Sequence, residues 1–160
     1  MIFRRKREGK TNYRKRFALL KSEKPRIIVR KSNKNIRIQF AIYDEKGDRI
    51  VASAMGSELK KYGWNHNFSN APAAYLTGII AGKRAIKKGI KEGVLDIGLH
   101  YPSRGGNVFS ALKGILEAGV EVPHGEEIFP SEDRLYGKHI DEKMVEIVKE
   151  IKKKIEEEHA

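Results

Sequence analysis

The sequence predicts an α/β fold: a mixed sheet made of a three-stranded antiparallel meander plus one parallel strand, packed by helices, with a basic N-terminal arm and a C-terminal helix. Three observations carry that prediction. Between residues 25 and 55, three short runs that are β-branched or alternate apolar with polar are separated only by turn residues, which is how a meander reads. A helical stretch ending near Lys88 then leads to a short apolar strand and a second helix, a crossover long enough for parallel pairing. Near the C-terminus, apolar residues recur at helical spacing opposite a face of Lys and Glu.

Taken in order, residues 1–24 form an arm with few apolar side chains, no clear period and many repelling charges. Alone it is expected to be disordered or only nascently helical. Tyr13, Phe17, Leu19 and Leu20 interrupt its basic run, and Tyr13 could stack on a base. Pro25 opens the run Arg26-Ile27-Ile28-Val29-Arg30, a strand buried for part of its length, and residues 31–35 supply a turn. Ile36, Ile38, Phe40 and Ile42 alternate with Arg37, Gln39 and Ala41, the period-two pattern of a strand with one face in the core. Residues 44–48 close a second hairpin, and Arg49 to Met55 form the third strand.

Asn70 followed by Pro72 marks a helix start, a capping side chain before a proline that the first turn tolerates. That helix runs through Leu76, Ile79, Ile80 and Ile86 to about Lys88, where Gly89 stops it. Gly78 and Gly82, four apart, are expected to bring it close to the sheet. Val94 to Leu99 reads as a buried strand, and a second helix runs from Asn107 or Val108 to Ala118, with Gly119 as its stop. Val120 to Lys138 reads as an ordered loop wrapping the body. Asp141 caps a last helix whose Met144, Ile147, Val148, Ile151 and Ile155 face inward, and its closing Glu156-Glu157-Glu158 opposes the helix dipole and should fray. Three units are expected: a basic arm, 1–24; a globular α/β domain, 25–120; and a wrapping loop with C-terminal helix, 121–160.

The chain has 160 residues and a formal charge of +12. Of its 33 Lys and Arg, fourteen lie in Met1 to Lys34, against only Glu8 and Glu23; the remaining 19 are matched by 19 Asp and Glu. A formally neutral body therefore carries a cationic extension, whose default partner is an acidic polymer that releases counterions when bound. The absence of Cys excludes a disulfide scaffold, a Cys-ligated zinc site and a thiol nucleophile, and fits a reducing compartment. No apolar run approaches the roughly 20 residues of a membrane span, and the first 16 residues lack a signal-peptide core. A soluble cytoplasmic protein is expected, with no membrane partner and no small-molecule substrate.

A meander followed by helix, strand and helix is similar to ribonuclease-H-like folds, whose metal-dependent chemistry needs carboxylates converging at strand ends. Here the first strand has no acid, Asp44 and Asp48 sit in a turn, and Asp96 reads as a cap or salt-bridge residue. The five histidines never fall at ligand spacing, and Ser103 and Ser110 lack a nucleophile elbow, so neither catalytic residues nor a metal or other cofactor are expected. The segment from His100 to Asn107 joins a strand to a helix. It is no P-loop, yet Gly105 and Gly106 let backbone amides approach an oxyanion beside Arg104. The segment Tyr62 to Phe68 reads either as a loop packed on the body or as an aromatic contact surface.

Four blocks then coincide: residues 25–34, Ala73 to Gly78 with Ala81-Gly82-Lys83, Leu95 to Leu99, and Val108 to Gly114 with Ala118-Gly119 and Val122-Pro123-His124. In this order they resemble the large-subunit ribosomal protein L-eighteen family in its archaeal and eukaryotic form, over nearly the whole chain. The resemblance implies a ribonuclease-H-like motif of the kind found in translational machinery components. It also implies binding to 5S rRNA in the central protuberance of the large subunit, with 23S rRNA and ribosomal protein L-five as neighbours. Carried over residue by residue, the implied RNA contacts fall on Arg4, Arg5, Lys6, Arg7, Lys10, Tyr13, Arg14, Lys15 and Arg16 of the arm. They continue at Arg26 and Arg30, at Lys31, Ser32, Asn33, Lys34 and Asn35 of the first hairpin, and at Arg104, Gly105, Gly106 and Asn107. The expected function is that of a non-enzymatic ribosomal component binding 5S rRNA and attaching it to 23S rRNA. A ribonuclease-H-like nuclease and a general nucleic-acid-coating protein are the alternatives.

Overall fold

The computed structural model describes residues 2–160; Met1, the first residue of the expected arm, lies outside them. The arm is more ordered than its charge predicts. It forms a single turn, α1 (Arg4–Arg7), and a two-turn helix, α2 (Tyr13–Leu20). The Asn12 side chain accepts a hydrogen bond from the Lys15 N–H at 3.2 Å, closing the open end of α2.

Strands β1 (Arg26–Lys31), β2 (Ile36–Ile42) and β3 (Arg49–Met55) form the expected meander. A 3₁₀ helix (Gly56–Tyr62) leads into α3 (Ala71–Lys87), capped by the Asn70 side chain, which accepts from the Ala73 N–H at 2.9 Å. β4 (Val94–Asp96) follows, then α4 (Asn107–Glu117), a 3₁₀ turn (Glu126–Ile128), the short α5 (Glu132–Leu135) and α6 (Glu142–Glu158). The sheet order is β3-β2-β1-β4. β1 and β2 pair antiparallel, as do β2 and β3, whereas β4 joins β1 in parallel with Ile28 opposite Asp96. β4 is shorter than the apolar run suggested, because Gly98 turns into the left-handed region at φ +62° and ends the extended backbone after Asp96.

Strand alternation sorts the sheet into two faces. Ile27, Val29, Ile36, Ile38, Phe40, Ala52 and Ala54 point into the core against α3 and α4, while Arg26, Ile28 and Arg30 stand on the opposite face. The glycines of α3 serve a different partner from the one expected. A Cβ on Gly78 would lie 2.2 Å from the Ala111 carbonyl oxygen, and one on Gly82 would lie 2.5 Å from the Ala118 Cβ. Reciprocally, a Cβ on Gly114 would lie 2.1 Å from the Tyr75 carbonyl oxygen. The glycines thus seat α3 against α4, and the helix pair as a unit covers the sheet.

α6 completes the same core with Met144, Val148, Ile151 and Ile155. The Asp141 side chain caps it, accepting from the Lys143 N–H at 3.0 Å. The acidic residues expected to fray are helical in the structure. The helix runs through Glu158, whose carboxyl is held below the ordinary value mainly by the neighbouring Tyr62 hydroxyl. The wrapping segment is anchored by the buried Val122 and Leu135.

Candidate nucleic-acid interface

The open face of the sheet is organised by charges that alternate across four separate segments. Arg26, on β1, is 3% exposed and lies between two carboxylates. It donates to Asp48, in the β2–β3 turn, and its Nη1 donates to Asp96 Oδ2 of β4 at 2.8 Å. Asp48 in turn takes a bidentate pair from Arg16 of α2, at 2.9 and 3.0 Å. At the other end, Arg30 donates to the Asp96 carbonyl oxygen at 2.7 Å, to the Val29 carbonyl oxygen at 3.0 Å and to Asp96 Oδ1 at 3.2 Å. The result is a relay, Arg16–Asp48–Arg26–Asp96–Arg30, that rivets the arm to the sheet. Burial pushes the Asp48 carboxyl up, but the Arg16 hydrogen bond and the charges of Arg26 and Arg16 outweigh it, so Asp48 titrates below the ordinary carboxylate value.

Arg26, one of the RNA contacts the resemblance implies, is therefore turned inward onto two carboxylates rather than outward. A guanidinium so deeply buried and held by two carboxylates is a strut. Its role could not be read from sequence, since Asp48 and Asp96 lie 22 and 70 positions away. Asp96, the carboxylate a nuclease would need, is paired with Arg26 and Arg30.

The rivet leaves a cleft of about 700 Å³ between the arm and the open face. Arg5, Lys10, Lys15, Arg16, Arg26 and Arg30 line it against only Asp48 and Asp96, so its net charge is strongly positive. Within the arm, Glu8 is shared by Arg4 and Lys10 at 2.8 Å each, and Arg5 donates to the Thr11 hydroxyl at 2.9 Å. Lys6, Arg7, Arg14 and Lys15 are exposed and carry no ion pair among the described residues. Tyr13 lines the cleft with its ring against Phe3, centroids 5.0 Å apart.

The first hairpin is tied from within. The Ser32 N–H donates to the Asn35 carbonyl at 2.8 Å, and the Asn35 N–H donates to the Ser32 hydroxyl at 3.1 Å. Lys31 and Lys34 remain exposed. His100, at the start of the glycine-rich segment, reaches back to the hairpin: its Nε2 accepts the Lys31 N–H at 3.2 Å, so the imidazole is neutral there. Burial, then the charges of Arg30 and Lys31, hold its pKa below the ordinary value.

The glycine loop departs from the expected oxyanion cradle. The Gly105 N–H donates to the Ile128 carbonyl at 2.9 Å and the Gly106 N–H to the Ser103 carbonyl at 3.1 Å, so both amides serve the fold. The Asn107 amide donates to the Ser69 carbonyl. What the loop offers outward is Arg104, whose side chain is 77% exposed beside Glu127 at 3.4 Å. In the aromatic segment, Trp64 is fully buried, which settles that ring as core, whereas His66 is exposed with its ring edge-on to Trp64 at 5.3 Å.

Comparison with known proteins adds the following. Residues 1–92 match the family described as ribosomal large subunit proteins 60S L5, and 50S L18. The large ribosomal subunit protein uL18 of Korarchaeum cryptofilum (strain OPF8) is 53% identical over 138 residues, covering 86% of this chain and 71% of that protein. The uL18 protein of Methanothrix thermoacetophila is 52% identical over 138 residues, 86% of this chain and 82% of that protein. That of Aeropyrum pernix is 55% identical over 138 residues, 86% of this chain and 64% of that protein.

Proposed function

This chain belongs to the uL18 family of large ribosomal subunit proteins, and from that premise we propose that it binds 5S rRNA and attaches it to 23S rRNA in the central protuberance, beside ribosomal protein L-five. The observation that carries the reading is the cationic cleft between arm and sheet. A folded, riveted arm presents Arg5, Lys10 and Lys15 from one side and Arg30 from the other, and the two acids of the cleft are already neutralised by arginines. RNA backbone entering there meets guanidinium forks and ammonium groups without an exposed competing carboxylate. The exposed Lys6, Arg7 and Arg14 extend the positive surface outward, and Lys31, Lys34 and Arg104 continue it along the body. Phosphate contacts fix register in this scheme, while recognition of one RNA over another rests on its shape and its unpaired bases.

Competition binding tests this. The protein is titrated with 5S rRNA against unrelated RNA and duplex DNA at several salt concentrations. Preference for 5S rRNA is expected, together with a steep fall of affinity with salt. Deletion of residues 1–16 should leave the body folded, weaken 5S binding and flatten the salt slope by roughly 0.7 to 0.9 per lost phosphate contact. Equal affinity for duplex DNA, or an unchanged slope after the deletion, would defeat the proposal.

A further inference from the structure

A second concavity, of about 450 Å³, lies between the first hairpin, the loop before α3 and the start of α4. Its chemistry differs from that of the first cleft. Four asparagines reach it from three segments, with no Asp or Glu among its lining residues. Each has part of its hydrogen-bonding capacity engaged by the fold or fixed near it. Asn67 Oδ1 accepts from the Ser69 N–H at 2.7 Å and the Ser69 hydroxyl at 2.9 Å, and Asn70 Oδ1 accepts from the Ala73 N–H. The Asn107 amide donates to the Ser69 carbonyl. The one Ser69 hydroxyl proton is shared between Asn67 Oδ1 and the Asn33 main-chain carbonyl, 2.8 Å away, and the Asn33 side chain has no partner among the described residues.

The unused halves therefore form a mixed set: amide N–H donors on Asn67 and Asn70, a carbonyl acceptor on Asn107, and both on Asn33. A bare phosphate needs donors and positive charge alone. A donor and acceptor set matches the edge of a nucleobase. The walls agree with this, since His66 offers an exposed ring and Ile140, 48% exposed, an apolar side chain. Lys31 at the rim can take the phosphate that accompanies the base.

We propose that this groove is a slot for one unpaired nucleobase of ribosomal RNA, read by the Asn amides and covered by His66 and Ile140. The proposal rests on the rRNA-binding reading above and adds His66, Asn67, Asn70 and Ile140 to the interface. Its size lies within the range of pockets that enclose small ligands and suits a base splayed from a loop or bulge, the element in which RNA sequence is usually read.

The test uses the full chain and the double variant Asn33→Ala with His66→Ala; neither side chain makes a hydrogen bond among the described residues, so the fold is retained. Parent and variant are footprinted by base-specific chemical probing on 5S rRNA and on 23S rRNA, and both affinities are measured. The expected result is an affinity about tenfold weaker, loss of protection at one unpaired segment, retained protection from the arm, and an unchanged melting temperature. Unchanged affinity and footprint overturn the slot alone. So does weakening that fades the footprint uniformly, or that accompanies a lower melting temperature. A parent that protects neither RNA overturns the rRNA-binding reading, and the slot with it.

Discussion

Replacing Asp48 separates the arm's attachment from the integrity of the sheet. Asp48 is, among the described residues, the one acid shared by Arg16 of the arm and the buried Arg26. Asp48→Ala removes one of the two carboxylates around a guanidinium that is 3% exposed. Breaking a buried pair in this way costs about 3–5 kcal/mol, and the surviving bond to Asp96 places the cost at the low end, about 3 kcal/mol. Arg16→Ala removes only the partly exposed partner and leaves Arg26 doubly held, for a cost of about 1 kcal/mol at most. For a chain of this size each kcal/mol moves the melting temperature by about 2–4 °C. Asp48→Ala should then lower it by about 6–12 °C and Arg16→Ala by about 2–4 °C. The double variant should melt close to Asp48→Ala, because Arg16 has lost its acceptor already. Thermal unfolding measures the three shifts, and amide exchange at Phe17 to Leu20 should speed up alike in all variants as α2 comes free. Equal shifts for the two single variants, or strict additivity in the double, would refute the relay. Acid should release the arm as well. Because Asp48 titrates below its ordinary value near 3.8, its contribution is fully present above that pH and is lost as pH falls through the lower folded value.

Three other outcomes follow from the same geometry. Gly114→Ala gains about 1 kcal/mol of helix propensity, but its methyl group meets the Tyr75 carbonyl at 2.1 Å, so the net effect should be a loss of about 2 kcal/mol, seen as a lower melting temperature; a rise would contradict the packing. His100 accepts the Lys31 N–H as a neutral ring with its pKa held down, so the hairpin is secured above the ordinary imidazole value of 6.5, loosens as pH falls from there towards the folded value, and is insensitive below it. Lys31 amide exchange, corrected for its intrinsic pH dependence, should show that window and lose it in His100→Phe. Arg104→Ala should weaken RNA binding with a melting temperature unchanged within about 1 °C, whereas Arg30→Ala, which loses its bonds to Val29 and Asp96, should lower stability by about 1 kcal/mol as well as weaken binding; identical melting behaviour in the two would be evidence against this division.

Local chemistry was readable residue by residue. The alternation of Ile36, Ile38 and Phe40 states which face of β2 is buried, and Asn70 with Pro72 and Asp141 mark helix starts that the structure places within a residue. Side chains whose meaning depends on a distant partner were not readable. Gly78 announces a close approach without saying to what, and the answer, Ala111, is set by how α4 folds back. Arg26 and Arg30 look alike in sequence, yet one is buried between acids and the other is 42% exposed. The arm illustrates the same limit: its charge argues for an unfolded chain, and only Asp48 across the sheet, with Asn12 at the helix start, explains why it folds.

The core is closed by parts that lie far apart in the sequence. β1 finds β2 at once through a tight hairpin, but its other edge waits for β4, and the floor beneath α3 waits for Met144, Val148, Ile151 and Ile155 of α6. Such long sequence separations slow folding. A nascent chain would therefore display its cationic N-terminal segment well before the body beneath it can close, and Arg26 would be without Asp96 during that interval.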